Sequence, residues 1–415
     1  MDPVTRAVAQ QYSDYAYPKP IDDIGAHAAA GGMDLCDPAL VGPLVWPEGP
    51  PRPDLDILVA GCGTQQAAWL AFTNPQARVV GVDLSSASLA HQRYLQDKHG
   101  LWNLELYEGD LREVGKLGRS FDLVVSTGVL HHLADPGEGL RALREVMRPD
   151  GAMTLMVYGA TGRAGVYMLQ DACRRLGLGQ DAGGVAMVRA MLAALSPHHA
   201  LQSYVARTRE LAFDEAIVDT FLHPQDRAYT VPELLEWLEE NGLAFQSWID
   251  NSRYYPEAMI AEPVLSAVQS LPDREQWAVV EKLQGLQGIH MFTARHAGRA
   301  VPIGFSQPGW LDYRPRLQPG VVMKENGIVA TRDVELGLNE GAAALVRAVN
   351  GIATISDILD SPAFAGSPRA AAESFAARVF DRLWKSGAVM FEAPRAGGRA
   401  GYERASRPPA CRGWI

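Results

Sequence analysis

Residues 54–85, DLDILVAGCGTQQAAWLAFTNPQARVVGVDLS, decide the fold of this chain. Residues 57–60 form a short apolar run of the size of a buried parallel strand, and the glycine turn 61–63 follows directly. After a helical segment and a turn, a second apolar run at 79–82 ends on Asp83. The order strand, glycine turn, helix, strand and acid predicts a nucleotide-type βαβ unit.

The residues of this unit indicate what kind of ligand it binds. Glycines let a ligand approach the backbone closely, and a helix that begins near Thr64 presents N–H groups to an anion. Asp83 follows the glycines by about twenty residues, where an acid accepts hydrogen bonds from a ribose diol. A dinucleotide motif needs a third glycine where Gln66 stands, which favours a cofactor with no pyrophosphate. The alternative is a glycine-rich turn of any α/β protein.

The composition is that of a globular protein with more than one domain. The chain has 415 residues, of which 47% are hydrophobic and 21% charged, and its formal net charge is −10. A chain of this length buries a large core and commonly splits into domains. We expect no nucleic acid partner, since the field of an acidic chain repels phosphates.

The cysteines and the apolar runs indicate the compartment. Cys36, Cys62, Cys173 and Cys411 are scattered and form no CxxC pair, which argues against a zinc site and a disulfide framework. The N-terminus shows no basic-then-apolar signal, and no apolar run approaches the ~18–20 residues that cross a bilayer. We therefore expect a cytoplasmic protein with no bound metal and no membrane partner.

Strands and helices alternate through the first two thirds of the chain. Further strands are predicted at 104–107, 121–126, 152–158, 244–249 and 290–296. This alternation predicts a parallel sheet with helices on both faces. A mainly helical insertion occupies about 160–242, and Thr230 with Glu233 predicts a capping box at one of its helix starts.

The chain divides into five predicted parts. These are an N-terminal arm (1–53), the sheet domain (54–297), a linker rich in Gly and Pro (298–320), a second unit (321–392) and a flexible basic tail (393–415). Asn326-Gly327 between apolar runs predicts a type I′ hairpin in the second unit, ahead of three helices and a strand.

Five motifs occur in an order and spacing that resemble a known family. They are VAGCGT (59–64), VVGVDLS (79–85), YEGDL (107–111), FDLVVSTGVLHHL (121–133) and LREVMRPDGAMTLMVY (143–158). Residues 55–160, and more loosely those up to 297, resemble the class I S-adenosylmethionine-dependent methyltransferases. The resemblance implies an α/β fold with a seven-stranded Rossmann-like sheet whose last strand is antiparallel. It also implies S-adenosyl-L-methionine as the cofactor.

The second unit carries a weaker resemblance. The stretch LVRAVNGIATISDIL at 345–359 is similar to winged-helix modules that bind peptides. This implies a small winged-helix-like α+β domain at the C-terminus. A purely structural role, or a role in forming a homodimer, is the alternative for this unit.

The methyltransferase resemblance assigns residues to parts of the cofactor. Gly61, Cys62 and Gly63 suit the methionyl end, while Asp83, followed by Leu84, suits the ribose hydroxyls. Asp110 suits the adenine amino group and the Leu111 N–H the ring, while Ser126, Thr127 and Gly128 are expected to line the cofactor floor. One departure is Gln65, which stands where many family members carry a third glycine. For Asp110 the alternative is a turn-former after Gly109.

Two residues are predicted to be catalytic. His132 lies just past the fourth strand, where a histidine can take a proton from a hydroxyl or amine acceptor. Its alternative is a packing role in the LHHL segment. Tyr17 is expected to lie nearest the cofactor sulfonium, with Tyr12 and Tyr15, because aromatic faces attract cations and Pro18 fixes the backbone. A surface arm with no functional contact is equally consistent with these tyrosines.

Three functions follow, from different classes. The first is methyl transfer to an oxygen or nitrogen of a small molecule or of a peptide or protein. The second is a catalytically inactive scaffold that binds a peptide or protein through residues 321–392. The third is a nicotinamide oxidoreductase, which GCGTQQ and the GD pair after strand three disfavour. No residue pattern identifies the methyl acceptor.

Overall fold

The computed structural model describes residues 19–285, 287–324, 327–331 and 334–394, together with residues 6, 8, 10, 11 and 15. The strands are β1 (Asp56–Ala60), β2 (Arg78–Asp83), β3 (Leu104–Glu108), β4 (Phe121–Thr127), β5 (Met147–Gly159), β6 (Ala228–Tyr229), β7 (Leu243–Trp248), β8 (Ile289–His296), β9 (Arg314–Leu317), β10 (Val322–Met323), β11 (Ile328–Ala330), β12 (Glu335–Gly337) and β13 (Val389–Glu392).

Helices flank these strands along the whole chain. They are α1 (Ile24–Ala29), α2 (Pro38–Val45), α3 (Gln66–Thr73), α4 (Ser86–His99), α5 (Pro136–Glu145), α6 (Ala160–Arg175), α7 (Ala182–Ala194), α8 (Gln202–Arg207), α9 (Asp214–Phe221), α10 (Val231–Glu240), α11 (Val264–Gln269), α12 (Asp273–Gln284), α13 (Glu340–Ala348), α14 (Ile355–Leu359) and α15 (Arg369–Lys385).

A single large sheet organises the protein. Its strands lie in the order β3-β2-β1-β4-β5-β8-β7, and the short β6 pairs with β5. Strands β1 to β5 are parallel, whereas β8 is antiparallel to both β5 and β7. The seven-stranded α/β sheet with an antiparallel last strand, predicted from the resemblance, is thus confirmed.

Both faces of the central strands are buried. On β1, Ile57 and Val59 belong to one apolar cluster, while Leu58 and Ala60 belong to another on the opposite face. Successive side chains of a strand point to opposite faces, so a continuous apolar run is what a strand covered on both sides requires. The helices of the insertion enclose a third apolar cluster of their own.

The start of α10 shows how the insertion returns to the sheet. The Thr230 side chain accepts from the Glu233 N–H and the Glu233 side chain accepts from the Thr230 N–H, so the predicted capping box is present. Helix α10 then packs Leu234 and Leu238 into the core.

The C-terminal residues form a small unit that packs against the sheet domain. Strands β10, β11 and β12 are antiparallel, and three helices and β13 follow as predicted. Asn326 of the predicted type I′ turn lies outside the described residues. Phe391 of β13 belongs to the same apolar cluster as Val59 of β1, and the Asn251 side chain donates to the Trp384 carbonyl at 3.1 Å. Independent folding of 321–392 and its winged-helix character stay predictions.

One strand lies inside the segment predicted to be a linker. Strand β9 pairs antiparallel with β13, with Pro315 opposite Phe391. Its sequence, Arg-Pro-Arg-Leu, has no alternating apolar pattern and contains a proline, so strand signals are missing although the pairing exists.

Within the described residues, no helix is long and apolar enough to cross a membrane. The predicted flexible tail falls almost wholly outside the described residues.

Candidate cofactor and acceptor site

A large cavity opens at the carboxyl ends of the parallel strands. Its volume is about 1080 Å³. Eight residues predicted to bind cofactor line it: Gly61, Cys62, Gly63, Asp83, Leu84, Asp110, Leu111 and Thr127. Ligands of open α/β sheets bind at this edge, where the strand order reverses around β1 and β4.

The glycine turn allows a close approach to the backbone. Gly61 has φ +74° and Gly63 has φ +53°, and a Cβ on Gly61 would lie 2.3 Å from Val129. The Gly61 and Cys62 N–H groups donate to the Val82 carbonyl at 2.8 and 3.1 Å. The Val129 side chain therefore packs directly on the backbone at Gly61, where only a glycine leaves it room, and the first two amides of the turn hold it against β2. Burial raises the pKa of the Cys62 thiol well above its ordinary value.

A glutamine on α4 braces the turn from behind. The Gln92 side chain is fully buried and its amide nitrogen donates to the carbonyls of Cys62 and Gly63 at 3.0 and 3.1 Å. Its oxygen accepts from the Ala68 N–H at 2.8 Å. Gln92 is not among the residues predicted from the sequence to form the site. A usable signal is its place between Leu89 and Leu95 on the buried face of the helix.

Asp83 ends β2 with its carboxylate against the turn. It accepts from the Gly63 N–H and from the Ser85 N–H, both at 2.8 Å. Burial raises its pKa, and the backbone N–H groups of Ser85, Gly63 and Leu84 oppose that rise. A carboxylate offers about four lone-pair sites, so these bonds leave acceptor capacity for a ribose diol.

Gln66 stands where a dinucleotide motif has its third glycine, and its side chain connects three parts of the cavity wall. Its side-chain nitrogen donates to Asp34 at 2.9 Å, and its oxygen accepts from the Thr127 hydroxyl at 2.9 Å. Burial raises the pKa of Asp34. The link joins the N-terminal segment to the helix start and to the end of β4. Gln65, the departure from the family pattern, also lines the cavity.

Asp110 both lines the cavity and caps a short helical turn. Its side chain accepts from the Arg112 N–H at 2.9 Å, and the Arg112 guanidinium lies 2.6 Å from its Oδ2. The turn-forming role is therefore present, and contact with adenine stays a prediction. Leu111 next to it is buried and faces the cavity.

The segment after β4 differs in one position from the prediction. Thr127 and Gly128 line the cavity as expected. Ser126 does not, because its fully buried hydroxyl donates to the Ala60 carbonyl at 3.0 Å and joins β4 to β1. Alternation of side chains along the strand turns this residue away from the ligand edge.

His132 also lines the cavity. Its Nδ1 lies 2.9 Å from the Gln225 carbonyl, which can only accept, so the neutral ring carries its proton on Nδ1. The ring stacks on His223 at 3.8 Å between centroids. Burial lowers the pKa of His132. The neighbouring His131 is fully buried and packs on Tyr158, so the packing role in LHHL belongs to His131.

A buried ion pair borders the same part of the cavity. The Arg163 guanidinium is 3.0 Å from Asp226 and stacks 3.5 Å above the Tyr158 ring. Two residues of the segment 223–229 have structural contacts. Asp226 forms this ion pair, and the Arg227 guanidinium lies over the Tyr229 ring. Asp219 lines the cavity beside them and accepts from the Tyr158 hydroxyl at 3.3 Å.

Three of these side chains have metal-ligating groups close together. One potential ligand atom from each of His132, Asp219 and His223 lies within 4.8 Å of the others, and all three residues are buried. The spacing of these residues in the sequence did not indicate such a cluster, because the insertion brings distant segments together.

The predicted catalytic Tyr17 lies outside the described residues, as does Tyr12. Two described residues of the arm locate its course. Val8 lines the cavity, and Tyr15 packs against the apolar cluster of the insertion. The arm thus reaches the site through Val8, while the role of Tyr17 stays a prediction.

Known proteins are similar to this chain in sequence and in fold. A family model described as a methyltransferase domain matches residues 58–153. An uncharacterized protein of Synechococcus is 30% identical over 305 residues, which cover 68% of this chain and 69% of that protein. The trans-aconitate 2-methyltransferase of Deinococcus radiodurans is 40% identical over 109 residues, 26% of this chain and 40% of that enzyme.

Other matches are more distant or shorter. The tRNA U34 carboxymethyltransferase of Methylococcus capsulatus is 30% identical over 110 residues, and only 34% of its length is matched. The chain therefore spans less than half of each of these two named enzymes. The structure of PKMT2 from Rickettsia typhi with AdoHcy matches with a TM-score of 0.63 at 12% identity, over 87% of this chain and 76% of that one. The chain belongs to the class I S-adenosylmethionine-dependent methyltransferases, with S-adenosyl-L-methionine as its cofactor.

Proposed function

We propose that the protein transfers a methyl group from S-adenosylmethionine to an oxygen or nitrogen of an acceptor that enters beside His132 and Tyr158. One observation carries the proposal. A single cavity of about 1080 Å³ runs from the glycine turn and Asp83 to those two residues. A cavity of that size is at the upper end of the range for ligand sites, which suits a cofactor together with a small acceptor or one side chain.

The proposed seat of the cofactor follows the wall of this cavity. The methionyl end lies along Gly61 and Gly63, which both line the cavity. The ribose hydroxyls donate to Asp83, and the adenine lies between Asp110 and Leu111. Thr127 closes the floor. The sulfonium then points toward His132, which lines the same cavity.

The chemistry places modest demands on the protein. The sulfonium brings its own leaving group, so the C–S bond breaks with its electron pair passing to sulfur while the acceptor lone pair takes the methyl. Holding the acceptor in line with that bond supplies much of the rate. The acceptor proton passes to Nε2 of His132, because the hydrogen bond to the Gln225 carbonyl keeps the ring proton on Nδ1.

The proposed acceptor is a small molecule or a residue of a peptide or protein. The net charge of −10 argues against RNA, although some relatives are named tRNA U34 carboxymethyltransferases. The second candidate function is an inactive scaffold. A scaffold does not require space for an acceptor beside the cofactor, so the size of the cavity favours the enzyme.

The test uses the full-length protein and methyl-labelled S-adenosylmethionine. Labelled product is measured in three parallel reactions that contain a metabolite extract, a peptide mixture and bulk tRNA. Calorimetry with S-adenosylhomocysteine is run beside them. Cofactor binding with label in the metabolite or peptide reaction supports the proposal. Label only in tRNA would reject the proposed acceptor class, and binding without any labelled product would favour the scaffold.

A further inference from the structure

We propose that the methyl acceptor carries an apolar group, aliphatic or aromatic, which packs on four side chains of the sheet. These are Met156, Tyr158, Ile289 and Met291, and together they are called the acceptor floor. The inference rests on the proposed function, because it names the class of acceptor that enters the cavity. The floor itself belongs to the protein, so its binding of apolar groups can be tested without turnover.

The acceptor floor consists of two residue pairs on one face of the sheet. Met156 and Tyr158 are two residues apart on β5, and Ile289 and Met291 are two residues apart on β8. Residues at this spacing point to the same face of their strand. The strands are antiparallel, with Met156 opposite Met291. The next pair on this face is Tyr158 and Ile289. Opposite side chains have Cβ atoms about 4.5–5.5 Å apart, so the four form one continuous surface.

Helix α2 covers the same face of the sheet next to the acceptor floor. Two residues back along β5, Thr154 pairs with Thr293, and both are fully buried. The Thr293 hydroxyl donates to the carbonyl of Leu44 on α2 at 2.8 Å. The four floor residues beyond this pair line the cavity instead. Both faces of a parallel α/β sheet are normally covered, so an apolar stretch that faces a cavity at the ligand edge indicates a ligand that covers it.

The acceptor floor begins beside the proposed seat of the cofactor. Gly128 follows Thr127 in the cavity wall, and a Cβ on Gly128 would lie 3.5 Å from the Met156 methyl group. At the other pair, the Tyr158 ring meets the His132 ring edge to face at 5.5 Å between centroids. An acceptor whose apolar group rests on the floor therefore lies beside both the cofactor wall and the proposed base.

The side chains of the floor suit an apolar group of variable shape. Methionine is flexible and polarizable, so it adapts to irregular apolar ligands and makes favourable contacts with aromatic rings. Met156, Ile289 and Met291 are only partly buried, which leaves apolar surface for the acceptor.

The charges near the floor favour an acceptor that is also polar at one end. Arg163 lies 3.5 Å above the Tyr158 ring, but it is paired with Asp226 at 3.0 Å, so its charge is balanced within the protein. Arg207 and Glu210 also line the cavity and are exposed. The acceptor is therefore amphipathic, with its apolar part on the floor and its polar part near these exposed charges.

The first experiment identifies the chemical character of the methylated product. Full-length protein and methyl-labelled S-adenosylmethionine are incubated with a metabolite extract and with a peptide mixture, and the products are separated by reversed-phase chromatography. We expect the label in compounds that the column retains. Label only in unretained compounds would overturn the inference and leave methyl transfer intact. Absence of label would count against the proposed function, and the second experiment then decides whether the floor binds apolar groups.

The second experiment measures binding of the dye anilinonaphthalene sulfonate to full-length protein saturated with S-adenosylhomocysteine. The dye combines aromatic rings with one polar group, as the proposed acceptor does. We expect one dye molecule per chain. Met291→Gln places an amide on the floor and should weaken dye binding roughly tenfold, whereas Met291→Leu keeps an apolar side chain and should bind about as well as the wild type. Ile289→Thr, which retains a β-branched side chain in the strand, is the second floor variant.

Met168→Gln is the matched control for the dye measurement. Met168 lies on α6, is 55% exposed and does not line the cavity. This variant should bind the dye like the wild type. Unchanged dye affinity in both floor variants would overturn the inference, as would an equal loss in Met168→Gln. S-adenosylhomocysteine affinity is measured in every variant, so failure of the floor and failure of the cofactor site give different results.

Discussion

The Gln92 side chain holds Cys62 in place, with its amide nitrogen 3.0 Å from the Cys62 carbonyl oxygen. A second bond reaches the Gly63 carbonyl, and the Gln92 oxygen accepts the Ala68 N–H at the start of α3. A single buried side chain on α4 thus fixes the glycine turn and the helix behind it. The cofactor site depends on this glutamine although it does not line the cavity.

Replacing Gln92 with Leu should weaken both the fold and cofactor binding. The change leaves three buried backbone groups without their partner, which costs about 1–3 kcal/mol of unfolding free energy. Loosening of the turn should lower the affinity for S-adenosylhomocysteine roughly tenfold, or about 1.4 kcal/mol. Denaturant unfolding and calorimetry measure the two effects.

Gln96→Leu is the control for this prediction. Gln96 lies one turn further along the same helix and donates to the Leu101 and Leu104 carbonyls, away from the glycine turn. It should lose stability without losing cofactor affinity. Equal affinity losses in both variants would show that the effect is general softening of α4.

Replacing Asp83 with Ala should reduce cofactor affinity strongly. The side chain offers its two oxygens to a buried ribose diol, and loss of hydrogen bonds to a charged acceptor costs about 2–4 kcal/mol, roughly 30- to 700-fold. The variant also loses the bonds to Gly63 and Ser85, so its stability must be measured beside the affinity. An unchanged dissociation constant in a folded Asp83→Ala protein would exclude the ribose assignment.

Cofactor affinity should fall as the pH is lowered, and earlier than for an exposed aspartate. Burial raises the pKa of Asp83 above 3.8, and only the ionised form accepts from both ribose hydroxyls. Affinity is therefore complete above the raised pKa and is lost as the pH falls through it. The contribution of Asp83 to the free energy of unfolding changes with pH in the opposite direction. It increases as the pH falls, because the folded state binds this proton more tightly than the unfolded state.

Calorimetry over a pH series measures this dependence, with Asp83→Asn as the reference. The asparagine does not titrate, so the acidic decline in affinity should be absent or much reduced in that variant. A decline of the same size in both proteins would assign it to another group.

How much the sequence reveals depends on whether a contact is local. The β1 to β2 unit with Asp83 and the capping box at Thr230 follow from short-range patterns, and both are found. Gln92, by contrast, acts across 30 residues on a backbone carbonyl, which no pattern marks. The pairing of β9 with β13 joins segments about 75 residues apart, and its proline hides it.

The acceptor end was the least predictable part for the same reason. His132 was identified from its position after β4, but Asp219 and Arg163 come from the insertion, where helices of ordinary composition carry them. Arg163 is buried together with Asp226, which is 63 residues away in sequence and pairs with it at 3.0 Å. Such a pair becomes visible only once the helices are packed.

The last prediction concerns Asp34, through which the N-terminal segment contacts the cofactor site. Its carboxylate accepts from Gln66 at 2.9 Å and from the Cys36 N–H at 2.7 Å, and its neighbours Met33 and Leu35 line the cavity. Asp34→Ala should release this part of the wall and weaken S-adenosylhomocysteine binding about fivefold to tenfold, mainly through faster dissociation. The stability without cofactor should change little, because burial of this carboxylate is itself unfavourable and raises its pKa.

Asp37→Ala provides the matched control three residues away. Asp37 is more completely buried than Asp34, and it caps α2, accepts from Asn74 at 3.0 Å and does not line the cavity. Loss of the cap should lower the unfolding free energy by about 1 kcal/mol and leave cofactor affinity unchanged. Stopped-flow dissociation rates and thermal melts of the two variants separate the roles. The contrary result is that Asp34→Ala loses stability and still binds cofactor normally. The N-terminal segment would then have only a packing role, because loss of a contact that retains the cofactor must increase the cofactor's dissociation rate.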